Sequence, residues 1–463
     1  MDEFPFSITL EPTPSGGCPQ TVLCLRLLRD LGKKRKIFDA VWDQQPVTIK
    51  VFTDPIKAKY HTKREWRRLK LLHQRCPNSP VPLFYGRSKQ GGWAAVTKKI
   101  LDAPNLREIW DSTTDKDKKY ELLLMICRQL AEQHNKGVLQ KDLHLGNFLL
   151  QGEKLFTVDV GQMQFFSHKV GRNTAISQLA MLGCSLPTGQ TQTFTRLCEE
   201  YFQARNWHLE KSDETLFHKK MARHRKTAIR RELRKCLRTS KRYFKIKTSG
   251  YTAVLSREFC EGANPRHLVE QIDELMAHGQ VIKNSNTSYV ARMNWNGKEV
   301  VVKRYNYKGF FHSLRHTIKG SRALHNWLNS HKLRKLNIPT PKPLAYISTY
   351  KRLLLEKAYI VTEYIPGKTF HRLIKREKKS CEEQIKITNQ ILNIIERLGE
   401  YRISHGDLKD TNILVTDEGP VLTDLDSVKT HIFDLTGKWQ TAKDVAHLKR
   451  SLSELENYLQ EKQ

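Results

Sequence analysis

A short pattern of two aspartates and one asparagine occurs twice in this chain of 463 residues. In each copy the asparagine follows the first aspartate by five residues, and a second aspartate follows it by 17 residues, after a short apolar run. Agreement at both spacings is hard to obtain by chance, so the sequence predicts an internal duplication. The two copies are Asp142, Asn147 and Asp159, and Asp407, Asn412 and Asp424.

The residues upstream of the two copies match as well. Each copy is preceded by an apolar stretch of helical periodicity, at 121–131 and at 384–395, with a glycine beyond it. Farther upstream, each half has a β-branched run that ends in a lysine, Lys50 or Lys303. These lysines precede the first aspartates by 92 and 104 residues, a difference that loop insertions explain. We therefore predict two copies of one α+β domain.

The segment between the two copies is strongly basic. Residues 218–247 contain 14 Lys and Arg against one acid, and they supply 13 of the net 32 positive charges. Ile229, Leu233 and Leu237 recur at helical spacing, which predicts a basic amphipathic helix. It is either a solvated linker or a contact for a membrane surface or another polyanion. The predicted first domain, helical linker and second domain are 1–215, 216–249 and 250–463.

A strand lysine, an aspartate followed by an asparagine, and a later aspartate are the working residues of protein-kinase-like phosphotransferases. Phosphoryl transfer needs the negative charge of the nucleotide phosphates to be neutralised, and the lysine supplies a positive charge beside them. The asparagine and the later aspartate offer the hard oxygen ligands that Mg²⁺ prefers, and the first aspartate orients the acceptor hydroxyl and takes its proton. The sequence thus predicts ATP and Mg²⁺ as cofactors. The predicted nucleotide-binding residues are Lys50 and Lys303. The predicted metal ligands are Asn147, Asp159, Asn412 and Asp424, and the predicted catalytic residues are Asp142 and Asp407.

At these motifs the sequence resembles the lipopolysaccharide kinases that phosphorylate heptose or Kdo sugars of the bacterial inner core. The strings that favour this family are Ser-Arg-Ala at 321–323, Ile-Pro-Thr-Pro at 338–341 and Asp-Leu-His-Leu-Gly-Asn-Phe at 142–148. Further matching segments lie at 64–69, 158–161, 360–367, 405–412 and 422–426. Together they extend the resemblance over most of the chain outside the basic segment.

The resemblance implies a protein-kinase-like fold in each half and an ATP-dependent kinase with an alcohol group as acceptor. It implies two further site residues: Glu65 as the partner of Lys50, and Glu363 at the hinge beside the adenine pocket. The implied substrate is the lipid A–core precursor, an anionic glycolipid, phosphorylated on a heptose or Kdo sugar at the cytoplasmic face of the inner membrane.

Some positions depart from the family pattern. Neither half has a clear glycine-rich loop, and the equivalent stretches are 32–36 and 283–288. Gln140 replaces the histidine that usually lies two residues before the catalytic aspartate. That histidine mainly supports the loop, so the activity of the first half is an open question.

Three roles also stay open. The helix predicted at 321–333 contains no acid, and Asn326 lies about where a glutamate is expected, so the sequence names no partner for Lys303. His144 either contacts substrate or caps the catalytic loop. Asp426, two residues after the predicted metal ligand, either assists metal binding or is a turn residue.

Composition favours an anionic partner and a reducing compartment. The chain has 80 Lys and Arg against 48 Asp and Glu, which suits an anionic glycolipid and an anionic membrane surface. No nucleic-acid motif accompanies the charge, so no specific nucleic-acid partner is expected. Nine cysteines without a C-x-x-C pair, an acidic N-terminus without a signal peptide and the absence of a long apolar run predict a cytosolic protein or one peripheral to a membrane. The resemblance implies a cytoplasmic protein that is peripheral to the inner membrane.

Three functions are compatible with these observations. The first is the sugar kinase described above. The second is a protein kinase or small-molecule phosphotransferase of the same fold, because fold alone does not decide the substrate. The third is a catalytically silent, nucleotide-binding scaffold at a membrane. Metal-dependent ATP turnover distinguishes the first two from the third, and the identity of the acceptor distinguishes the first from the second.

Overall fold

The protein consists of two units, each built from helices and sheets. The computed structural model describes residues 4–12, 18–32, 34–184, 191–307, 309–375, 380–431 and 434–451. By its contacts the described part of the chain divides into a first unit, up to residue 225, and a second unit, from residue 226 onward. The predicted α+β class is confirmed.

A closed antiparallel barrel forms the N-terminal part of the first unit. Its elements are β1 Phe6–Pro12, β2 Gln20–Asp30, β3 Arg35–Trp42, β4 Gln45–Phe52, α1 Ala58–Arg75, β5 Pro82–Ser88 and β6 Trp93–Lys98. The strand order is β1-β2-β3-β4-β6-β5, closed by pairing of β1 with β5. Inward side chains such as Leu10, Val22 and Ile49 fill the barrel. Helix α1 buries Glu65 and Leu69, four residues apart, on one face.

The rest of the first unit is mainly helical. Its elements are α2 Leu106–Ser112, α3 Lys116–Asn135, β7 Val138–Gln140, β8 Phe148–Gln151, β9 Lys154–Thr157, β10 Met163–Phe165, α4 Arg172–Gly183, α5 Thr191–Ala204 and α6 Lys211–Lys235. Asp115 caps α3 by accepting a 2.8 Å hydrogen bond from the N–H of Asp117. The core includes Ile126 and Leu130 of α3 and Tyr201 of α5. It supports the short turn between β7 and β8, where two of the predicted site residues lie.

A seven-stranded antiparallel sheet begins the second unit, in the order β11-β12-β16-β17-β15-β14-β13. Its elements are β11 Tyr243–Lys247, β12 Tyr251–Ser256, α7 Pro265–Ala277, β13 Gln280–Asn284, β14 Ser288–Trp295, β15 Lys298–Asn306, α8 Phe310–Lys319, α9 Arg322–Lys335, β16 Pro343–Lys351 and β17 Leu354–Glu363. Helix α9 lies against β16 and β17. Its Trp327 is fully buried among Tyr243 and Tyr346.

The second unit continues with a helical part. Its elements are β18 Lys368–Thr369, α10 Phe370–Lys375, α11 Cys381–Glu400, β19 Ile403–Ser404, β20 Ile413–Thr416, β21 Gly419–Leu422, β22 Lys429–Thr430 and α12 Asp434–Ser451. Apolar residues of α11, such as Ile391 and Leu398, pack with Ile413 and Leu422 of the β20–β21 hairpin. In the part of the chain that the structure describes, no helix is long and apolar enough to cross a bilayer.

The basic segment is helical only in its N-terminal part. Helix α6 ends at Lys235, and residues 243–247, which the sequence placed in the linker, form a strand paired with β12. The apolar residues Leu233 and Leu237 pack into a core of the second unit. The indole N–H of Trp327 donates a 3.0 Å hydrogen bond to the carbonyl of Cys236. The C-terminal end of this segment is therefore part of the second unit, because its side chains and its backbone both bond there.

We predict that Trp327→Ala destabilises the second unit by about 3–5 kcal/mol, because it removes a fully buried ring and leaves a cavity. Trp439→Ala is the matched control, since the Trp439 side chain is exposed, and we expect it to cost less than about 1 kcal/mol. Urea unfolding of the full chain measures both values. Equal effects of the two substitutions would contradict this account of the core.

Candidate active sites

In the first unit the strand lysine is paired with the helix glutamate. Lys50 on β4 lies 2.7 Å from the Oε1 atom of Glu65 on α1, and both side chains are mostly buried. The pair forms because α1 places Glu65 on its buried face, against the sheet that carries Lys50. The structure thus brings together the two residues that the resemblance implied.

The two aspartates and the asparagine of the first unit lie around one short turn. The side-chain N–H of Asn147 donates a 2.6 Å hydrogen bond to the carbonyl of Asp142. The N–H of Val158 donates a hydrogen bond to the carbonyl of Asn147 at 3.0 Å. Because Asp159 is the next residue, this bond holds it close to the turn. Burial raises the pKa of Asp159, but Lys50 and a hydrogen bond from the N–H of Gly161 lower it below its usual value overall. Asp159 is therefore ionised at neutral pH.

A cavity of about 290 Å³ lies between the strand lysine and the turn of the first unit. Its lining includes Lys50, Asn147 and Asp159. It also includes three further cations from the barrel strands, Arg29, Arg35 and Lys98. Four cations beside one ionised carboxylate make a cavity suited to a polyanion such as a nucleotide polyphosphate.

Gln140 supports the turn in place of the usual histidine. Its side-chain N–H donates to Gln133 at 2.8 Å, and Gln133 donates to the hydroxyl of Thr157 at 2.7 Å. Thr157 lies two residues before Asp159, so the amide network reaches the predicted metal ligand. The substitution thus preserves a link between the turn and the strand that precedes Asp159. His144 makes no capping hydrogen bond with its side chain, which removes the capping alternative, and it contributes to the lowered pKa of Asp159.

The corresponding turn of the second unit has the same hydrogen bonds. The side-chain N–H of Asn412 donates to the carbonyl of Asp407 at 2.9 Å and lies 3.3 Å from its Oδ2 atom. The N–H of Thr423 donates to the carbonyl of Asn412 at 2.9 Å. Asp407 also lies 3.1 Å from the ammonium of Lys409. The three predicted residues of the second copy are therefore neighbours as well.

His405 and Asp444 stabilise this turn through hydrogen bonds to its backbone. The Nε2–H of His405 donates to the carbonyl of Thr423 at 3.0 Å, and burial lowers the pKa of His405, so the ring is neutral. Both oxygens of Asp444 accept backbone N–H bonds, from His405 at 2.6 Å and from Gly406 at 2.9 Å. Gly406 has a φ of 83°, and an added Cβ would lie 2.6 Å from the carbonyl oxygen of Ser427, so only glycine fits there. The sequence analysis missed Asp444, which no local motif marks.

The lysine of the second unit has a different partner from that of the first. Lys303 on β15 lies 2.5 Å from the Oδ1 atom of Asp424. Burial raises the pKa of Asp424, but Lys303 and neighbouring groups lower it to about 2 overall. Asp424 has a left-handed backbone, with φ of 58°, a conformation that is sparsely populated outside functional sites. The partner that the sequence left open is thus the predicted metal ligand itself.

A second ion pair lies beside the first. Arg322, at the start of α9, places its Nε atom 2.6 Å from the Oδ2 atom of the buried Asp426. Burial and the adjacent carboxylate of Asp424 raise the pKa of Asp426, while Arg322 opposes that rise. The ring of Tyr305 lies beneath both cations, 4.7 Å from the guanidinium of Arg322 and 5.0 Å from the ammonium of Lys303. Helix α9 is therefore connected to the Asp424 segment by Arg322, whereas Glu65 of α1 in the first unit pairs with the strand lysine Lys50.

The remaining predicted site residue, Glu363, ends β17. Its Oε1 atom accepts a 2.7 Å hydrogen bond from the N–H of Lys342 and lies 3.9 Å from Arg334. In place of a glycine-rich loop, Ser285 closes the β13–β14 turn through its hydroxyl, which bonds the carbonyl of Ser288 at 2.9 Å. The structure therefore bonds Glu363 to the backbone that directly precedes β16, and it gives the β13–β14 turn a side-chain bond that glycine lacks.

We predict that Arg322→Gln destabilises the second unit by about 2–3 kcal/mol, because it leaves the buried carboxylate of Asp426 without its cation; the value is reduced because Arg322 is partly exposed. Adding Asp426→Asn should recover about 1–2 kcal/mol, since the unpaired charge is then removed. Urea unfolding of the wild type, both single variants and the double variant gives the coupling free energy. Additive single effects would contradict the pairing.

The comparisons with known proteins agree with the resemblance in the second half. Residues 275–463 match the model of the lipopolysaccharide kinase (Kdo/WaaP) family. No curated protein matches the chain. Among solved structures, "WaaP in complex with acyl carrier protein" aligns at 18% identity over 43% of this chain and 88% of that chain, with a TM-score of 0.34. A kinase-domain variant of PknI from Mycobacterium tuberculosis aligns at 14% identity over 36% of this chain and 72% of that chain, with a TM-score of 0.28. By the family match, residues 275–463 are similar to the Kdo/WaaP lipopolysaccharide kinase family, and the protein is a phosphotransferase of the kinase type.

Proposed function

We propose that the protein transfers the γ-phosphate of ATP to a hydroxyl of a heptose or Kdo sugar in the lipopolysaccharide inner core, at the cytoplasmic face of the inner membrane. The observation that carries this proposal is the coincidence of two findings in the second unit. The family match covers 275–463, and the turn that holds Asp407 and Asn412 lies within that range, beside Asp424.

Asp407 is the proposed catalytic residue. The side-chain N–H of Asn412 bonds the backbone carbonyl of Asp407 at 2.9 Å and lies 3.3 Å from its Oδ2 atom, so the same amide positions the carboxylate. A positioned carboxylate orients the acceptor hydroxyl for in-line attack and accepts its proton as the phosphoryl group is transferred. Lys409, 3.1 Å away, offsets the negative charge of Asp407 before an acceptor arrives.

Asn412 and Asp424 in the second unit, and Asn147 and Asp159 in the first, are the proposed ligands of Mg²⁺. Asn147 and Asp159 line the same cavity, and the pKa values of both aspartates are lowered, so that each offers an anionic oxygen. An amide and a carboxylate oxygen are hard donors of the kind that Mg²⁺ binds. When bound, the metal would neutralise charge on the nucleotide phosphates. Lys303 and Lys50 hold phosphate oxygens, and Glu363 marks the adenine side of the second site.

The first unit is proposed as a second kinase-like domain in a tandem arrangement. This proposal is supported by the formed Lys50–Glu65 pair, the turn bond between Asn147 and Asp142, and the cationic cavity. The Gln140 network replaces the histidine support, so the departure at that position is not by itself a loss of function.

The proposed substrate is the anionic lipid A–core precursor, and the proposed location is the surface of an anionic membrane. The exposed basic residues of α6 support this proposal. Ile229 packs into a core of the second unit, whereas Lys226, Arg230 and Arg234 are exposed. Such a surface attracts anionic lipid by electrostatics, about 1 kcal/mol for each cation near the membrane. The interpretation of this segment as a polyanion contact is preferred here over that of a solvated linker.

We predict that Asp407→Asn lowers phosphate transfer to a core glycolipid by about 10²–10⁴-fold, because the amide keeps the shape but cannot accept the proton. Nucleotide affinity should change little, since Asp407 does not hold the phosphates. Asp417→Asn, in the exposed β20–β21 turn, is the matched control and should keep wild-type turnover. Undiminished transfer by Asp407→Asn would mean that the activity belongs to the first unit, which Asp142→Asn alone and in combination then tests.

We predict a different result for Asp424→Asn. This change removes an anionic metal ligand, so the protein should need more Mg²⁺ and bind ATP more weakly. Titrations of turnover with Mg²⁺ and of binding with Mg-ATP measure both effects, again beside Asp417→Asn. An Asp424→Asn variant with an unchanged Mg²⁺ requirement would exclude this residue as the ligand.

We predict two nucleotide sites in each chain. Equilibrium dialysis of the full chain with a non-hydrolysable Mg-ATP analogue should give two bound nucleotides, and Lys50→Met should reduce that number to one. Lys63→Met is the control, because Lys63 is exposed on α1 and should leave the number unchanged. A wild-type stoichiometry of one that persists in Lys50→Met would show that the first unit does not bind nucleotide.

A further inference from the structure

Helix α8 leaves large apolar side chains in solvent. It is bounded by two glycines with positive φ, Gly309 at 86° and Gly320 at 89°. Phe310, Phe311 and Ile318 are 60%, 84% and 77% exposed. Phe311 and Ile318 are seven residues apart and therefore lie on one face of the helix. Side chains this apolar are normally buried, so their common exposure indicates an interaction surface.

The opposite face of α8 is fixed to the second unit. The hydroxyl of Thr317 accepts a 2.9 Å hydrogen bond from the N–H of Leu355 on β17. The ring of His316 lies 5.0 Å from that of Tyr307, and Ser313 is buried. The helix therefore has a defined inner face, and the exposed side chains of Phe311 and Ile318 are on the outer one.

The turn between β16 and β17 adds a fourth apolar residue next to this helix. Leu353 is 83% exposed and lies two residues before Leu355, the residue bonded to α8. The turn is a two-residue hairpin, closed by pairing of Lys351 with Leu354. Its central residues, Arg352 and Leu353, have φ of 50° and 67°, the left-handed region that asparagine and glycine occupy at lower cost. A strained, exposed leucine at a hairpin tip is unfavourable in water, which points to a function for it.

The charged side chains within the helix and within the hairpin tip are all positive. Arg315 and Lys319 lie on the exposed side of α8, and Lys351 and Arg352 lie in the hairpin. Neither 309–320 nor 351–353 contains an acid, and the next acid along the chain is Glu356. Apolar side chains surrounded by cations match a lipid surface, where acyl chains lie behind anionic headgroups.

We propose that this insertion patch, formed by Phe310, Phe311, Arg315, Ile318, Lys319 and residues 351–353, enters the headgroup region of an anionic membrane. The apolar side chains reach the boundary of the acyl chains, and the four cations remain at the level of the lipid phosphates. The basic surface of α6 attracts the membrane at long range. The apolar side chains of the insertion patch add a contact that salt does not screen. The inference rests on the proposed function only in placing the protein at a membrane.

The test uses the full chain and vesicles of phosphatidylcholine with increasing phosphatidylglycerol. An insertion variant combines Phe311→Ser, Ile318→Ser and Leu353→Ser. A control variant combines Ile56→Ser, Tyr60→Ser and Leu101→Ser, which are exposed apolar residues of the first unit. Because each apolar side chain that enters the membrane contributes about tenfold in partitioning, the three changes together should weaken vesicle binding by up to about 10³-fold, and by at least about tenfold. The control variant should bind like the wild type.

A second measurement reports depth directly. The chain already has eight tryptophans, so the signal of Phe311→Trp is read as the difference from the wild type. With vesicles this difference should shift to shorter wavelength and be quenched by brominated acyl chains, and it should persist at high salt. Equal vesicle binding by the insertion variant and the wild type, or no quenching of the introduced tryptophan, would overturn the inference. So would self-association of the wild type in solution that the insertion variant loses, because the patch would then be covered by a second copy.

These outcomes are independent of the phosphotransfer reaction. Transfer to a lipid-free core oligosaccharide tests the proposed function without a membrane, and the insertion variant should retain it. A protein that inserts but phosphorylates no core sugar would refute the proposed function and leave the insertion patch standing. A protein that phosphorylates the sugar but does not insert would do the reverse.

Discussion

Each unit must balance the charge of one lysine ammonium held against its sheet. A mostly buried ammonium is costly unless a carboxylate accompanies it. In the first unit that carboxylate is Glu65 of α1, and Asp159 is left to bond the N–H of Gly161. In the second unit the equivalent helix carries no acid, so Lys303 bonds Asp424. Whether the helix supplies the carboxylate therefore decides the partner of the later aspartate, which is the N–H of Gly161 for Asp159 and the ammonium of Lys303 for Asp424.

The second unit balances the charges of four groups together. Asp424 and Asp426 are two residues apart and share a hydrogen bond, which lowers the pKa of Asp424 and raises that of Asp426, and the charge of Asp424 raises the pKa of Asp426 further. Lys303 and Arg322 supply the two opposing positive charges. The face of Tyr305 contacts both cations. Because Arg322 begins α9, its ion pair with Asp426 connects the helix to the aspartate segment.

Spacing in the sequence was sufficient to predict the parts of the sites that are close in the chain. The turns around Asn147 and Asn412 are local structures, and their hydrogen bonds join residues five positions apart. The Lys50–Glu65 pair was inferred because the resemblance named it. The Arg322–Asp426 pair and the support from Asp444 join residues that are far apart or outside any motif, so nothing in a single sequence marks them. The helical linker was extended too far because a basic composition does not distinguish the end of α6 from the exposed edge strand β11.

The central claim is that the phosphoryl group reaches a core sugar. The direct measurement is incubation of the full chain with Mg²⁺, ATP labelled with ¹⁸O in the γ-phosphate, and defined unphosphorylated core glycolipids, followed by fragmentation mass spectrometry. The account predicts one labelled phosphoryl group on a heptose or Kdo hydroxyl, absent from the double variant Asp142→Asn and Asp407→Asn. Label found only in free phosphate or on protein, with the glycolipid unchanged, would contradict it.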